Sequence, residues 1–158
     1  MVMHVAVVGP GEATAEEEAA AEAVGYELAR GGALVVCGGL GGVMAAACRG
    51  AVAAGGTTLG LLPGTERATA NQWVTVAVPT GLGEARNALV VRSADAVVAV
   101  GGAYGTLSEI ALALRVGTPV VGWRTWSLTT PAGELAPILD VDDPAEAART
   151  ALRLAGST

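Results

Sequence analysis

Apolar residues along this chain come in short unbroken runs, and most of these runs stop at a glycine or a proline. His4 to Val8, Leu34 to Cys37, Thr57 to Leu62, Trp73 to Val78, Val97 to Val100 and Pro119 to Trp123 are such runs. Consecutive rather than alternating apolar positions predict strands buried on both faces, as in a parallel sheet. Between them, alanines and charged residues recur at helical spacing. Thr14-x-x-Glu17 predicts a capping box at the head of one helix, with Val24 and Leu28 on its buried face and Gly31-Gly32 as its stop. Further helices are expected at about Val43 to Ala54, Leu82 to Ser93, Leu107 to Val116 and Pro144 to Ala155. Pro63 to Gln72 is polar and irregular and reads as a mobile loop.

Strands alternate with helices almost throughout, which implies βαβ units with right-handed crossovers. The expected fold is α/β: a single doubly wound parallel sheet, Rossmann-like, with helices on both faces and one domain over residues 1–158. Neither a repeat nor a linker interrupts it.

In such sheets ligands sit beyond the carboxyl ends of the strands, so the glycine turns there carry the candidate chemistry. The richest is Gly101-Gly102-x-x-Gly105-Thr106-x-x-Glu109, where a strand breaks and a helix restarts. Thr106 is placed as the N-cap, with Glu109 completing a second capping box. A cap alone needs no run of glycines before it. Unpaired N–H groups and the positive end of the helix dipole suit a phosphate. Gly9-Pro10-Gly11 and Gly38-Gly39-x-Gly41-Gly42 follow the first and second strands and can join this cradle if the strand order brings them together. The first half-resembles a dinucleotide fingerprint, but the acid for a ribose hydroxyl is missing after the second strand, which argues against NAD. For the second, close helix–sheet packing accounts for the glycines as well as ligand approach does.

Arg86 falls in the first turn of its helix, where a positive charge opposes the dipole. It needs a carboxylate or a ligand phosphate beside it. Arg92, near the other end, suits the dipole and reads as structural. Trp123-Arg124-Thr125-Trp126 is open between a base-stacking site, an oligomer interface and tryptophans closing the sheet edge.

Composition narrows the chemistry. Over half the residues are hydrophobic yet none is Phe, and 23 are Gly, so Val, Leu and Ala must fill a core with helices lying close to strands. The net charge of −6 argues against a nucleic-acid surface, which needs a basic face. All nine basic residues are Arg; without Lys, neither a pyridoxal phosphate Schiff base nor a Walker A loop can be built. One His makes a Ser–His–Asp arrangement improbable. Cys37 and Cys48 lack a CxxC spacing and are expected as buried, reduced thiols, with no metal site. No apolar run approaches the ~18 residues of a membrane span, and the N-terminus has no signal-like pattern, so a cytoplasmic protein without membrane contact is expected.

These motifs carry a resemblance. Gly38-Gly39-x-Gly41-Gly42-Val43-Met44, Gly50-Ala51, Ala54-Gly55-Gly56 and Gly60-x-x-Pro63 resemble the first conserved block of the LOG (Lonely Guy) proteins, long labelled "possible lysine decarboxylase". Arg86-Asn87, Ser93-Ala94-Asp95 and Gly101-Gly102-x-x-Gly105-Thr106-x-x-Glu109 resemble the second. The resemblance implies hydrolysis of a nucleoside 5′-monophosphate to free base and ribose 5-phosphate, with Arg86 and Glu109 catalytic. It places phosphate or nucleotide binding at Gly9, Gly38, Gly39, Gly41, Gly42, Gly101, Gly102, Gly105 and Thr106. It further implies a homodimer or higher homo-oligomer and no cofactor. Asn87 replaces the family's Lys and Val100 its Pro. In these features the chain is similar to a short bacterial branch that also resembles the molybdenum-cofactor carrier proteins. That likeness implies the alternative: a non-catalytic carrier or sensor of a phosphorylated nucleotide-like ligand, the molybdenum cofactor included.

Overall fold

In a computed structural model, which describes residues 1–157, the apolar runs form a seven-stranded sheet with every pairing parallel. The strands are β1 (His4–Val8), β2 (Leu34–Cys37), β3 (Thr58–Leu62), β4 (Val76–Pro79), β5 (Ala96–Val100), β6 (Val120–Trp123) and β7 (Ile138–Asp140). Their order is β4-β3-β2-β1-β5-β6-β7. Helices α1 (Ala15–Arg30), α2 (Val43–Ala53) and α5 (Pro144–Ala155) pack with Val5, Val7, Val35 and Val98 on one face. Helices α3 (Arg86–Arg92) and α4 (Tyr104–Val116) pack with Ala6, Val8, Val36 and Val97 on the other. The two-sided burial of β1 and β5 is what their unbroken valine runs predict. Leu28 on one side and Ile110 on the other are fully buried, each contributing about 1.5–3 kcal/mol of apolar burial.

The small residues of α1 and α2 have a direct cause. A Cβ on Gly25 would fall 2.0 Å from the Ala47 carbonyl oxygen, and one on Gly50 would fall 2.0 Å from that of Glu22. The two helices touch backbone to backbone.

Several expectations need correction. β7 lies outside the six expected strands: three residues following Pro137 show neither alternation nor a run. The fourth strand starts at Val76, not Trp73, because Trp73 to Thr75 serve Thr58 instead. The Thr58 hydroxyl donates to the Trp73 carbonyl at 2.7 Å, and the Thr75 N–H donates to Thr58 Oγ1 at 2.7 Å. The expected helix from Leu82 divides into a 3-10 turn at Gly83–Ala85 and α3, since Gly81 and Gly83 both take positive φ. α4 begins at Tyr104, three residues earlier than expected. Thr106 is therefore not the N-cap and Glu109 closes no capping box. Ala103 is the cap, and Thr106 Oγ1 accepts its N–H from within the first turn at 3.3 Å. In the loop at 63–72, a 3-10 turn at Arg67–Thr69 precedes Asn71, whose N–H donates to the Gly39 carbonyl at 2.9 Å.

Candidate anion-binding cleft

β1 and β5 are neighbours, but the chain leaves β1 through α1 toward β2 on one side and leaves β5 through α4 toward β6 on the other. This is the switch point at which open α/β sheets form a crevice. A cavity of about 250 Å³ occupies it. Its floor is the end of β1 and the Gly9-Pro10-Gly11 turn, with Gly38 and Met44 beside them. Its other walls are Arg86 and Asn87 of α3, and Ala103, Gly105, Thr106 and Glu109 at the head of α4.

Arg86 is only 9% exposed. One terminal nitrogen of its guanidinium, Nη1, donates closely to Asn87 Oδ1, while Nε is buried and has no partner among the described residues. A Cβ on Gly38 would stand 2.7 Å from Nη2, so the turn after β2 must lack a side chain for the guanidinium to lie there. A buried charged donor without an acceptor is costly, and an anion in the cavity relieves that cost.

The head of α4 supplies further donors. The first N–H groups of a helix have no acceptor within it, and here Tyr104, Gly105 and Thr106 carry them. No acidic residue crowds this first turn, and a Cβ on Gly105 would meet nothing within 4 Å. α1 makes the contrast: Thr14 and Glu17 form its capping box, and Glu16, Glu17 and Glu18 already supply negative charge.

Glu109 completes the wall at 7% exposure. Burial pushes its carboxyl up to about 7, against a smaller downward pull from Arg86. Below that pH it carries a proton and can donate to an anion's oxygen; above it, it is a buried carboxylate beside Arg86.

Six of the residues singled out from sequence thus meet around one cavity: Gly9, Gly38, Arg86, Gly105, Thr106 and Glu109. Gly39, Gly41, Gly42, Gly101 and Gly102 are not in its lining. Gly42 packs on the Pro10 carbonyl, Gly39 on Leu62, Gly101 on Glu17 and Gly102 on Trp126. Pro10 and Gly11 line the cavity with the rest of their turn, and Val7, Val8, Met44, Asn87 and Ala103 line it without an expected role in binding. Asn87 had a signal, a short polar residue directly after Arg86. Cys37 and Cys48 are free, buried thiols 3.5 Å apart. Trp123 and Trp126 donate through Nε1 to the carbonyls of Asp142 and Ala103, which ties down the sheet edge and the head of α4. Among the described residues no helix is long and apolar enough to cross a membrane, and no group of three or more His, Cys, Asp or Glu is placed to hold a metal ion.

The model of the SLOG cluster4 family matches residues 2–147. The chain belongs to the SLOG cluster4 family. This SLOG cluster4 chain is 41% identical over 123 residues to a protein of unassigned function from Archaeoglobus fulgidus, across 78% of this chain and 81% of that one. Its fold is similar to that of the molybdenum cofactor binding protein from the phototrophic bacterium Rippkaea orientalis, with a TM-score of 0.89 and 34% identity over 97% of this chain and 96% of that chain. It is also similar to the Moco carrier protein of Chlamydomonas reinhardtii, with a TM-score of 0.86 and 33% identity over the whole of both chains. The SLOG cluster4 chain therefore shares its α/β fold with molybdenum cofactor binding and carrier proteins, and its family is SLOG cluster4 rather than the LOG family proper.

Proposed function

We propose that this chain binds and carries the molybdenum cofactor, a pterin that bears a phosphate, without cleaving it. The observation that carries this reading is Arg86: a buried guanidinium with an unpartnered Nε, facing the open head of α4 in the switch-point cleft. The whole-length likeness to molybdenum cofactor carriers supports it. The residues fit such a cargo. Arg86 and the first-turn N–H groups of α4 hold the phosphate, protonated Glu109 donates to one of its oxygens, and Gly105 lets it approach the helix. The cofactor binds molybdenum through its own sulfurs, so the cleft needs no metal-ligand set.

Glu109 favours a second reading in the same cleft. A carboxyl held near neutrality beside Arg86 can stabilise an oxocarbenium-like ribose when ionised, and that would release the base from a nucleoside 5′-monophosphate. The carrier reading extends to a cytoplasmic homodimer or higher homo-oligomer, checked by sedimentation.

The deciding experiment incubates the protein with molybdenum cofactor and, separately, with a panel of nucleoside 5′-monophosphates. The carrier reading expects retained pterin and molybdenum after desalting and no free base. Free base from any nucleotide, lost in Glu109→Gln, would establish the hydrolase instead.

A further inference from the structure

A second cavity of about 250 Å³ lies beyond β6 and β7, under the loop that joins them. The loop is held by its own hydrogen bonds: the Ala136 N–H donates to the Leu128 carbonyl, and Thr129 bridges to Leu135. Trp126, Leu128 and Ile138 give the cavity apolar walls, and Leu135, 74% exposed, stands at its edge. Three side chains on its lining are polar: Thr125, Ser127 and Asp140. Asp140 presents a carboxylate, and the Thr125 hydroxyl oxygen is buried with no partner among the described residues. Buried hydroxyls ordinarily have one.

This cavity adjoins the anion cleft. Trp126 walls it, and the same indole donates at 3.1 Å to the carbonyl of Ala103, which lines the cleft. The ring of Tyr104, 83% exposed at the head of α4, leans on Trp126 with centroids 5.9 Å apart. Trp126, with Tyr104 tilted 31° against it, thus stands between the head of α4 and the second cavity.

We propose that the cavity under the β6–β7 loop is the heterocycle subsite of the ligand whose phosphate lies at Arg86. Its occupant is a planar ring with adjacent N–H donors, the edge shared by pterins and guanine. An ionised carboxylate only accepts, so Asp140 takes the ring N–H and the exocyclic amine together. Thr125 Oγ1 meets a further polar atom of the ring, and Trp126 offers the apolar face. Adenine presents an acceptor where these rings present a donor, and it would set a lone pair against Asp140. The proposal rests on the assignment of the phosphate to the Arg86 cleft, and it adds the means of choosing the ring.

The test uses two kinds of probe on the full chain. Fluorescent 6-hydroxymethylpterin, which has no phosphate, reads the subsite alone; guanosine and adenosine 5′-monophosphates read it with the phosphate attached. Wild type is expected to bind the pterin and to prefer the guanine nucleotide over the adenine one by about tenfold, in line with a charge-assisted hydrogen bond. Asp140→Asn should lose the pterin and that preference while still binding inorganic phosphate, and Thr125→Val should weaken the pterin alone. If Asp140→Asn binds both probes as wild type does, the subsite is overturned while the Arg86 cleft stands. If wild type holds phosphorylated ligands without regard to the ring, the subsite again fails by itself. If it holds neither phosphate nor ring, both assignments fall.

Discussion

A Cβ added to Gly38 would lie 2.7 Å from Nη2 of Arg86, so a residue at the end of one strand sets where a guanidinium on a distant helix can rest. The atoms it would meet, Nη2 and Met44 Sδ at 2.8 Å, are the far ends of flexible side chains. Gly38→Ala should therefore cost less than about 1 kcal/mol in stability, yet weaken anion binding about tenfold by displacing the guanidinium. Denaturant melts and sulfate titration of the same sample separate the two effects.

Gly42→Ala should do the opposite. Gly42 has φ +62, and its Cβ would stand 2.3 Å from the Pro10 carbonyl oxygen, a backbone atom that cannot step aside. A loss of about 2–4 kcal/mol is expected, from the strained φ and the displaced turn together. A urea midpoint close to wild type would show that the turns after β1 and β2 do not pack as described.

Thr106→Val removes the acceptor for the Ala103 N–H without changing side-chain shape. It should cost about 1 kcal/mol, read as a lowered urea midpoint with an unchanged slope.

Glu109 makes stability depend on pH. Folded, it keeps its proton up to about pH 7; unfolded, it releases it near about pH 4.3. Between those values the folded chain binds more protons, so stability falls as pH rises, by about 4 kcal/mol across the window. Glu109→Gln should flatten that decline and leave the variant the more stable protein at pH 8. Affinity for sulfate, whose own charge is constant in this range, should likewise fall in wild type as pH rises through about 7 and stay level in the variant.

Much of this was legible in the sequence because burial writes itself on a strand. The valine runs of β1 and β5 could belong only to central strands, and glycines at their ends marked the switch point. What stayed hidden was hidden for physical reasons. β7 is three residues long and draws its pairing from β6 rather than from its own pattern. The start of α4 was misplaced because Thr106 and Glu109 have capping-box spacing, while the real cap, Ala103, has no side-chain acceptor. Gly39, Gly42 and Gly101 signalled a cradle yet pack on protein atoms, since a glycine needed for close packing and one needed for a ligand look alike in sequence. Arg86 was legible from its conflict with the helix dipole; its partnerless Nε was not.

Retention of molybdenum and pterin by wild type and by Arg86→Ala tests the central claim most directly. After incubation with molybdenum cofactor and gel filtration, wild type should hold the two in equal amounts. Arg86→Ala, with a normal melting profile, should hold about a tenth as much or less, given the charge-assisted bonds it loses. Equal retention by the two proteins, or none by wild type, would contradict the account.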